Sequence, residues 1–212
     1  MSSNTAKPKL TVANRITILR FLGVPFFILM LVYYVMGLVH GEQKEMFRAL
    51  ALASFTLLAL TDALDGYFAR SRGQITALGK ILDPLADKAL LLSALILLTR
   101  PSIPALEPHV PIWFTVLVIS RDTVLVLGSI IVHALAGSVE VKPRIVGKLA
   151  TFFQMVTIIW VLSGAPVSPF LSLVVLAALC TATSGVIYIF DGLRQLEKTA
   201  AAHRHSHDHQ PA

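Results

Sequence analysis

Residues 61–88 read TDALDGYFARSRGQITALGKILDPLADK, and this stretch concentrates carboxylates in a chain that is otherwise strongly apolar. It holds the four aspartates Asp62, Asp65, Asp83 and Asp87, whereas 55% of the 212 residues are hydrophobic and only 14% are charged. Soluble proteins carry about 25% charged residues. The composition therefore predicts that most of the chain lies in a membrane, where clustered acids are functional by default.

Uncharged apolar runs lie on both sides of the aspartate segment and predict an all-α integral membrane protein. A helix needs about 20 predominantly apolar residues to cross the hydrocarbon core. The first run, Phe21–Val39, is longer than the apolar region of a signal peptide and is predicted to be a retained span. The mixed basic and apolar stretch 10–20 predicts a short interfacial helix before it. Joining the runs predicts six transmembrane helices, at residues 16–39, 46–71, 79–99, 111–137, 146–165 and 169–195.

The distribution of basic residues predicts the orientation in the membrane. Lys and Arg residues gather before the first predicted helix and after the second, fourth and sixth, whereas the alternate loops hold few. By the positive-inside rule, both termini and the aspartate segment lie in the cytoplasm. We expect a multi-pass protein of the bacterial inner membrane that contacts membrane lipids. The net charge of +6 does not predict nucleic-acid binding, because the basic residues form loop segments rather than one basic face.

The two ends of the chain are polar, and residues 1–9 and 199–212 are predicted to be disordered. Residues 10–198 are then expected to form a single membrane domain. The C-terminal tail alternates histidines between His203 and His209, a pattern that also occurs in transition-metal sites. A solvated tail without an assigned role is the favoured interpretation, because nothing near it supplies a rigid ligand geometry.

The spacing of the aspartates predicts that they face one point. Asp62 and Asp65 are i,i+3 neighbours on one predicted helix, and Asp83 and Asp87 are i,i+4 neighbours on the next. Helices joined by a short loop pack antiparallel, so the four carboxylates are expected to converge. They cannot all stay ionised so close together without a cation. The segment therefore predicts a divalent metal site.

An all-oxygen ligand set is suited to hard ions such as Mg²⁺, Mn²⁺ or Ca²⁺. Two ions about 3.5–4 Å apart would clamp the attacking and leaving oxygens of a displacement at phosphorus. Gly66 and Ala69 would let a bulky ligand approach the helix backbone, and Arg70 and Arg72 would neutralise its phosphates. Taken alone, Asp83 before Pro84 also fits a helix N-cap. Taken together, four acids on facing helices favour the metal site.

Residues 62–87 follow the pattern D-x-x-D-G-x-x-A-R, eight further residues, and G-x-x-x-D-x-x-x-D. This pattern resembles the signature of the CDP-alcohol phosphatidyltransferase family at all eight fixed positions. The resemblance implies a six-span homodimeric enzyme that transfers a phosphatidyl group from CDP-diacylglycerol and releases CMP.

The resemblance also implies roles for individual residues. It implies two Mg²⁺ or Mn²⁺ ions, and a general base at Asp87 that also completes the metal site. The other metal ligands that it implies are Asp62, Asp65 and Asp83. The residues that it implies for the CDP moiety are Asp62, Gly66, Ala69, Arg70 and Gly79.

The acceptor alcohol has fewer signals in the sequence. Arg121 and Asp122 interrupt the fourth predicted span and form either a buried structural pair or a polar wall for the acceptor. The stretch VKPRIVGK brings Lys142, Arg144 and Lys148, which fit either phosphate binding or positive-inside topology. Three cations favour an acceptor that carries phosphate, and glycerol 3-phosphate fits.

Two branches of the family remain open. The stretch TVANRITILR, residues 11–20, resembles the opening of the phosphatidylglycerophosphate synthases, which use glycerol 3-phosphate. Those enzymes usually have Arg-Glu where this chain has Arg121-Asp122. The Arg-Asp pair followed by VKPRIVGK is also similar to cardiolipin synthases of the CDP type, whose acceptor is phosphatidylglycerol.

A cation transporter is the alternative from another class, because acids inside a membrane also mark ion pathways. Such a transporter is expected to place acids near the midplane and to have inverted repeats or broken helices. The sequence has neither pattern, so the enzyme is the favoured hypothesis.

Overall fold

The structure, a computed structural model, describes the backbone of residues 12–42, 44–72, 77–99, 106–136 and 145–207. It describes the side chains of residues 22–42, 44–61, 86–99, 106–132, 134 and 145–197. The six helices within these residues are α1 Val12–Val39, α2 Glu45–Arg72, α3 Ala77–Leu98, α4 Ile112–Ala136, α5 Ile145–Ser163 and α6 Phe170–His207. The all-α class and the positions of the six predicted helices are thereby confirmed.

Within the described residues, four helices are long and apolar enough to cross a membrane, over Leu22–Val39, Ile112–Val132, Ile145–Ser163 and Phe170–Glu197. Large apolar side chains on them stay exposed, and Leu22, Ile130 and Leu179 are 66%, 58% and 61% accessible. A soluble protein rarely exposes such a surface, so contact with lipid is the natural explanation. Spanning by α2 and α3 stays a prediction, because many of their side chains lie outside the described residues.

Both ends of the helical region differ from the expectation. Helix α1 is continuous from Val12 to Val39, so it does not delimit a separate interfacial helix within residues 10–20. Helix α6 continues to His207, whereas the sequence predicts a disordered tail from residue 199. The physical reason is propensity, because LEKTAAA at residues 196–202 is rich in the residues that favour a helix.

Contacts divide the chain into two compact units. The first unit is Met1–His109 with Ile158–Ala165, and the second is Val110–Thr157 with Pro166–Ala212. The first contains α1, α2 and α3, and the second contains α4, most of α5 and α6. A single membrane domain over residues 10–198 stays a prediction.

In the first unit, α1 packs against both α2 and α3. The rings of Phe27 and Phe55 lie 5.4 Å apart between their centroids, and both side chains are fully buried. A Cβ added to Gly23 would come within 2.6 Å of a Leu58 methyl group, so α1 and α2 approach closely at this glycine. Small residues allow such close approach between membrane helices, where packing rather than water exclusion drives association.

The end of α5 is fixed by a glycine in the first unit. Gly164 has φ +67°, and the N–H of Ala165 donates to the carbonyl of Trp160 at 3.4 Å, which closes the helix in a Schellman arrangement. The guanidinium of Arg48, held by Glu45 at 2.7 Å, lies against Gly164 where a Cβ would overlap it. A cation at a helix C-terminus is also favoured by the helix dipole.

We expect Gly164→Ala to destabilise the protein. The left-handed backbone alone costs about 1–2 kcal/mol for an L side chain, and the new methyl group would also displace Arg48. The matched control is Gly128→Ala in α4, where an added Cβ meets nothing within 4 Å. Thermal unfolding in one detergent should give a lower Tm for Gly164→Ala than for Gly128→Ala. Equal Tm values would contradict this assignment.

Candidate functional site

The first two predicted site aspartates lie on α2, at positions that continue its buried stripe. Ala51, Phe55 and Leu58 are 0%, 0% and 5% exposed and follow a spacing of four and three residues. Asp62 and Asp65 follow at the same spacing, so their backbone positions fall on the same helical stripe. The side chains of Asp62 and Asp65 lie outside the described residues.

The packing of α1 on α2 shows which part of α1 lies beside Asp62. Phe55 faces Phe27 and Leu58 faces Gly23, which makes the two helices antiparallel in that register. Asp62 lies one turn, about 6 Å, beyond Leu58 along α2. Its backbone is therefore level with the part of α1 that precedes Phe21, where the uncharged apolar run Phe21–Val39 begins in the sequence.

The other two aspartates lie on α3 in the same kind of arrangement. Leu91 and Leu95 are 2% and 0% exposed, and Asp87 and Asp83 precede Leu91 by four and eight residues. All four positions therefore fall on one stripe of α3. The side chain of Asp87 is half-buried and has a polar or electrostatic partner. The side chain of Asp83 lies outside the described residues.

Several other predicted site residues are located only by their helices. Gly66, Ala69 and Arg70 lie on α2, and Gly79 lies on α3. Their side-chain environments, and Lys142 and Arg144 altogether, lie outside the described residues. Among the described side chains no group of three His, Cys, Asp or Glu residues is assembled. Three of the four predicted metal ligands are outside that part of the chain, so the metal site stays a prediction.

The second unit contains a buried polar cluster around Arg121, which we call the Arg121 cluster: Arg121 and Asp122 of α4, Gly147 of α5, and Ser184 and Tyr188 of α6. Arg121 and Asp122 are each 8% exposed, and Arg121 Nη1 donates to Asp122 Oδ1 at 2.8 Å. Arg121 Nη2 donates to Ser184 Oγ at 2.8 Å, and the guanidinium carbon lies 5.8 Å from the centre of the Tyr188 ring. The Arg121 guanidinium therefore contacts three side chains of the cluster, those of Asp122, Ser184 and Tyr188.

Gly147 closes this cluster from α5. A Cβ at this position would lie 3.2 Å from Arg121 Nη2 and 3.4 Å from both Ser184 Oγ and the Tyr188 hydroxyl. These three polar groups, from α4 and α6, therefore converge on one residue that has no side chain. The exposed Lys148 follows directly on α5.

A second buried polar contact joins α5 to α6. Gln154 and Thr181 are both 0% exposed, and Gln154 Nε2 donates to Thr181 Oγ1 at 3.0 Å. Arg121 Nε and Gln154 Oε1 are buried and find no hydrogen-bond partner among the described residues. Buried polar atoms of this kind are uncommon and call for an explanation.

The cluster answers part of what the sequence left open. Arg121 and Asp122 do form a buried pair, which was one of the two alternatives, while the acceptor role stays a prediction. Ser184, Tyr188 and Gly147 were not predicted. Their only sequence signals are a polar i,i+4 pair within an apolar helix and a glycine inside VKPRIVGK.

Comparison with known proteins adds independent information. Residues 10–189 match the family model of the CDP-alcohol phosphatidyltransferases. A Mycobacterium tuberculosis protein named probable phosphatidylglycerophosphate synthase is 36% identical over 190 residues, which cover 87% of this chain and 82% of that protein. A Bacillus subtilis CDP-diacylglycerol–glycerol-3-phosphate 3-phosphatidyltransferase is 36% identical over 148 residues, 68% of this chain and 72% of that protein. A CMP-forming cardiolipin synthase of Streptomyces coelicolor is 34% identical over 148 residues, 69% and 62% of the two chains.

We expect the Arg121–Asp122 pair to show strong energetic coupling. Arg121→Met or Asp122→Leu alone leaves one buried charge without its counter-charge, which costs about 3–5 kcal/mol. The double variant removes both charges and should recover most of that loss in thermal unfolding. The exposed pair of Glu42 and Lys44, 3.0 Å apart, is the control and should show little coupling. Additive losses at Arg121 and Asp122 would contradict a coupled buried pair.

Proposed function

The chain belongs to the CDP-alcohol phosphatidyltransferase family, and we propose that it transfers the phosphatidyl group of CDP-diacylglycerol to glycerol 3-phosphate. The products are phosphatidylglycerophosphate and CMP. The observation that carries this proposal is the 36% identity over 190 residues to a relative named for that synthesis. A second relative, 36% identical over 148 residues, is named for the same substrates. The four aspartates at family spacing on α2 and α3 support it.

The donor set fits a pair of hard divalent ions. Asp62, Asp65 and Asp83 would hold Mg²⁺ or Mn²⁺, with Asp87 completing the set, because carboxylate oxygens are the ligands these ions prefer. The ions would supply charge neutralisation at the diphosphate of the nucleotide substrate. The stripes of α2 and α3 support this assignment, since both continue from buried residues toward the aspartates.

The reaction is a displacement at the phosphorus atom that bears the diacylglycerol. The acceptor hydroxyl loses its proton to Asp87, and its oxygen forms the new P–O bond. The P–O bond to CMP breaks, and CMP leaves with the electron pair. Asp87 precedes the buried Leu91 by four residues, and its place on this stripe of α3 supports the role.

Binding of the two substrates is divided between different residues in this proposal. Arg70 would offset charge on the diphosphate, and the residues assigned to the CDP moiety are Asp62, Gly66, Ala69, Arg70 and Gly79. The acceptor would be bound by Arg121, Lys142, Arg144 and Lys148. Burial and anchoring of the Arg121 guanidinium support its assignment, since a fixed donor loses less freedom on binding.

We further propose that α1 to α6 each span the bacterial inner membrane, with a short interfacial part at residues 10–20 and the active site at the cytoplasmic face. The relatives named above are bacterial proteins, which supports the host membrane. The level of Asp62, just beyond the start of the uncharged run Phe21–Val39 of α1, supports a site at the membrane boundary. A homodimer is proposed on the family resemblance alone.

Cardiolipin synthesis from phosphatidylglycerol is the second candidate. A relative named CMP-forming cardiolipin synthase is 34% identical over 148 residues, and Arg121-Asp122 with VKPRIVGK is similar to that branch. Both reactions use the same nucleotide lipid and release CMP, so they differ only in the acceptor.

We expect the aspartate variants to separate metal binding from proton transfer. Asp87→Asn should keep much of its Mn²⁺ binding but lose CMP release, whereas Asp62→Asn should weaken both. Mn²⁺ binding is followed by electron paramagnetic resonance, and turnover by release of labelled CMP in detergent. Asp191→Asn on α6, outside the proposed site, is the control and should turn over normally. Turnover at wild-type rates in either site variant would reject the assigned roles.

The acceptor is tested by offering both alcohols to the same purified protein. Glycerol 3-phosphate should support CMP release in Mg²⁺ or Mn²⁺, and EDTA should abolish it. Phosphatidylglycerol should compete weakly or not at all. Faster turnover with phosphatidylglycerol would favour cardiolipin synthesis, and cation flux without CMP release would favour the transporter.

A further inference from the structure

We propose that Ser184 and Gly147 are positioning residues that fix the Arg121 guanidinium for acceptor binding, and that Gly147 sets the space available there. The inference rests on the proposed function, in which Arg121 binds the acceptor. It assigns roles to two residues on α6 and α5 that lie far from the aspartate motif in sequence.

The hydrogen bonds of Arg121 determine how its guanidinium is oriented. A guanidinium on a long side chain has several rotamers, and each fixed hydrogen bond removes some of that freedom. Asp122 is the next residue on the same helix, so its bond to Nη1 leaves the direction of the guanidinium toward α6 undetermined. Ser184 supplies that direction through the 2.8 Å bond to Nη2, and the Tyr188 ring lies beside the same group.

The Nε donor of Arg121 indicates how the acceptor substrate would bind to this side chain. Nε is buried and has no partner among the described residues, although the other two nitrogens are bonded. An unsatisfied donor is costly inside a membrane protein. If an oxygen of the acceptor substrate enters the cluster and accepts a hydrogen bond from this buried N–H, the cost of the unpaired donor is removed. The affinity for the acceptor substrate then depends on where Ser184 holds the guanidinium.

Gly147 limits the space beside the Arg121 guanidinium. A Cβ at Gly147 would stand 3.2 Å from Nη2 and 3.4 Å from Ser184 Oγ, so a methyl group there would press on the bond that orients Arg121. By contrast, a Cβ at Gly128 on α4 meets nothing within 4 Å. Substitution at Gly147 should therefore change ligand binding, whereas the same substitution at Gly128 should not.

The test measures KM for each substrate and kcat in five variants. Ser184→Ala and Gly147→Ala should each raise KM for the acceptor about tenfold, the scale of one hydrogen bond to a charged group, with a small change in KM for CDP-diacylglycerol. Ser184→Thr keeps the hydroxyl and should restore much of the affinity. The controls are Gly128→Ala and Ser129→Ala, because the Ser129 hydroxyl donates to the Val126 carbonyl one turn back on its own helix α4.

Direct binding separates this inference from the proposed function. The rise in Tm caused by glycerol 3-phosphate, and separately by phosphatidylglycerol, gives an apparent affinity without turnover. If the protein uses only phosphatidylglycerol and Ser184→Ala weakens its binding, the inference holds and the proposed acceptor is wrong. Equal effects of Ser184→Ala and Gly147→Ala on kcat and both KM values, or no effect on either acceptor, would overturn the inference while leaving the proposed reaction standing. If neither acceptor supports CMP release or raises the Tm of the wild-type protein, both are overturned.

Discussion

The central constraint on this protein is the cost of placing carboxylates on helix faces that pack inside a membrane protein. Ala51, Phe55 and Leu58 form a buried stripe of α2. The backbone position of Asp62 continues that stripe at helical spacing. Ionised carboxylates are stable in such surroundings only when cations compensate them. In the proposed site a divalent ion would supply this compensation and would also neutralise the charge that displacement at phosphorus involves.

The Arg121 cluster meets the same constraint differently. Here the charge of the arginine is balanced within the chain by Asp122, and Ser184 and Tyr188 contact the same guanidinium. A neutral, buried pair holds its geometry without an ion. Such an arrangement is suited to recognising one ligand in one orientation, whereas a metal site is suited to stabilising charge that develops during reaction.

Sequence reasoning located the helices because long apolar runs leave the backbone no other stable conformation in a membrane. It also predicted a common helix face for each aspartate pair from i,i+3 and i,i+4 spacing, whereas the convergence of the four aspartates on one site stays a prediction. It did not find Ser184 or Gly147, because their contacts with Arg121 join residues 63 and 26 positions apart and depend on how helices pack. The extension of α6 to His207 was missed because a polar composition was weighed above the helix propensity of its alanines.

The most direct test of the central claim is a structure of the full-length protein with Mn²⁺ and CDP, recorded at a wavelength where manganese scatters anomalously. We expect anomalous density for two ions between α2 and α3, within coordination distance of carboxylates from both helices. Carboxylates of Asp62, Asp65 and Asp83 turned toward lipid, with manganese absent from between the two helices, would contradict it.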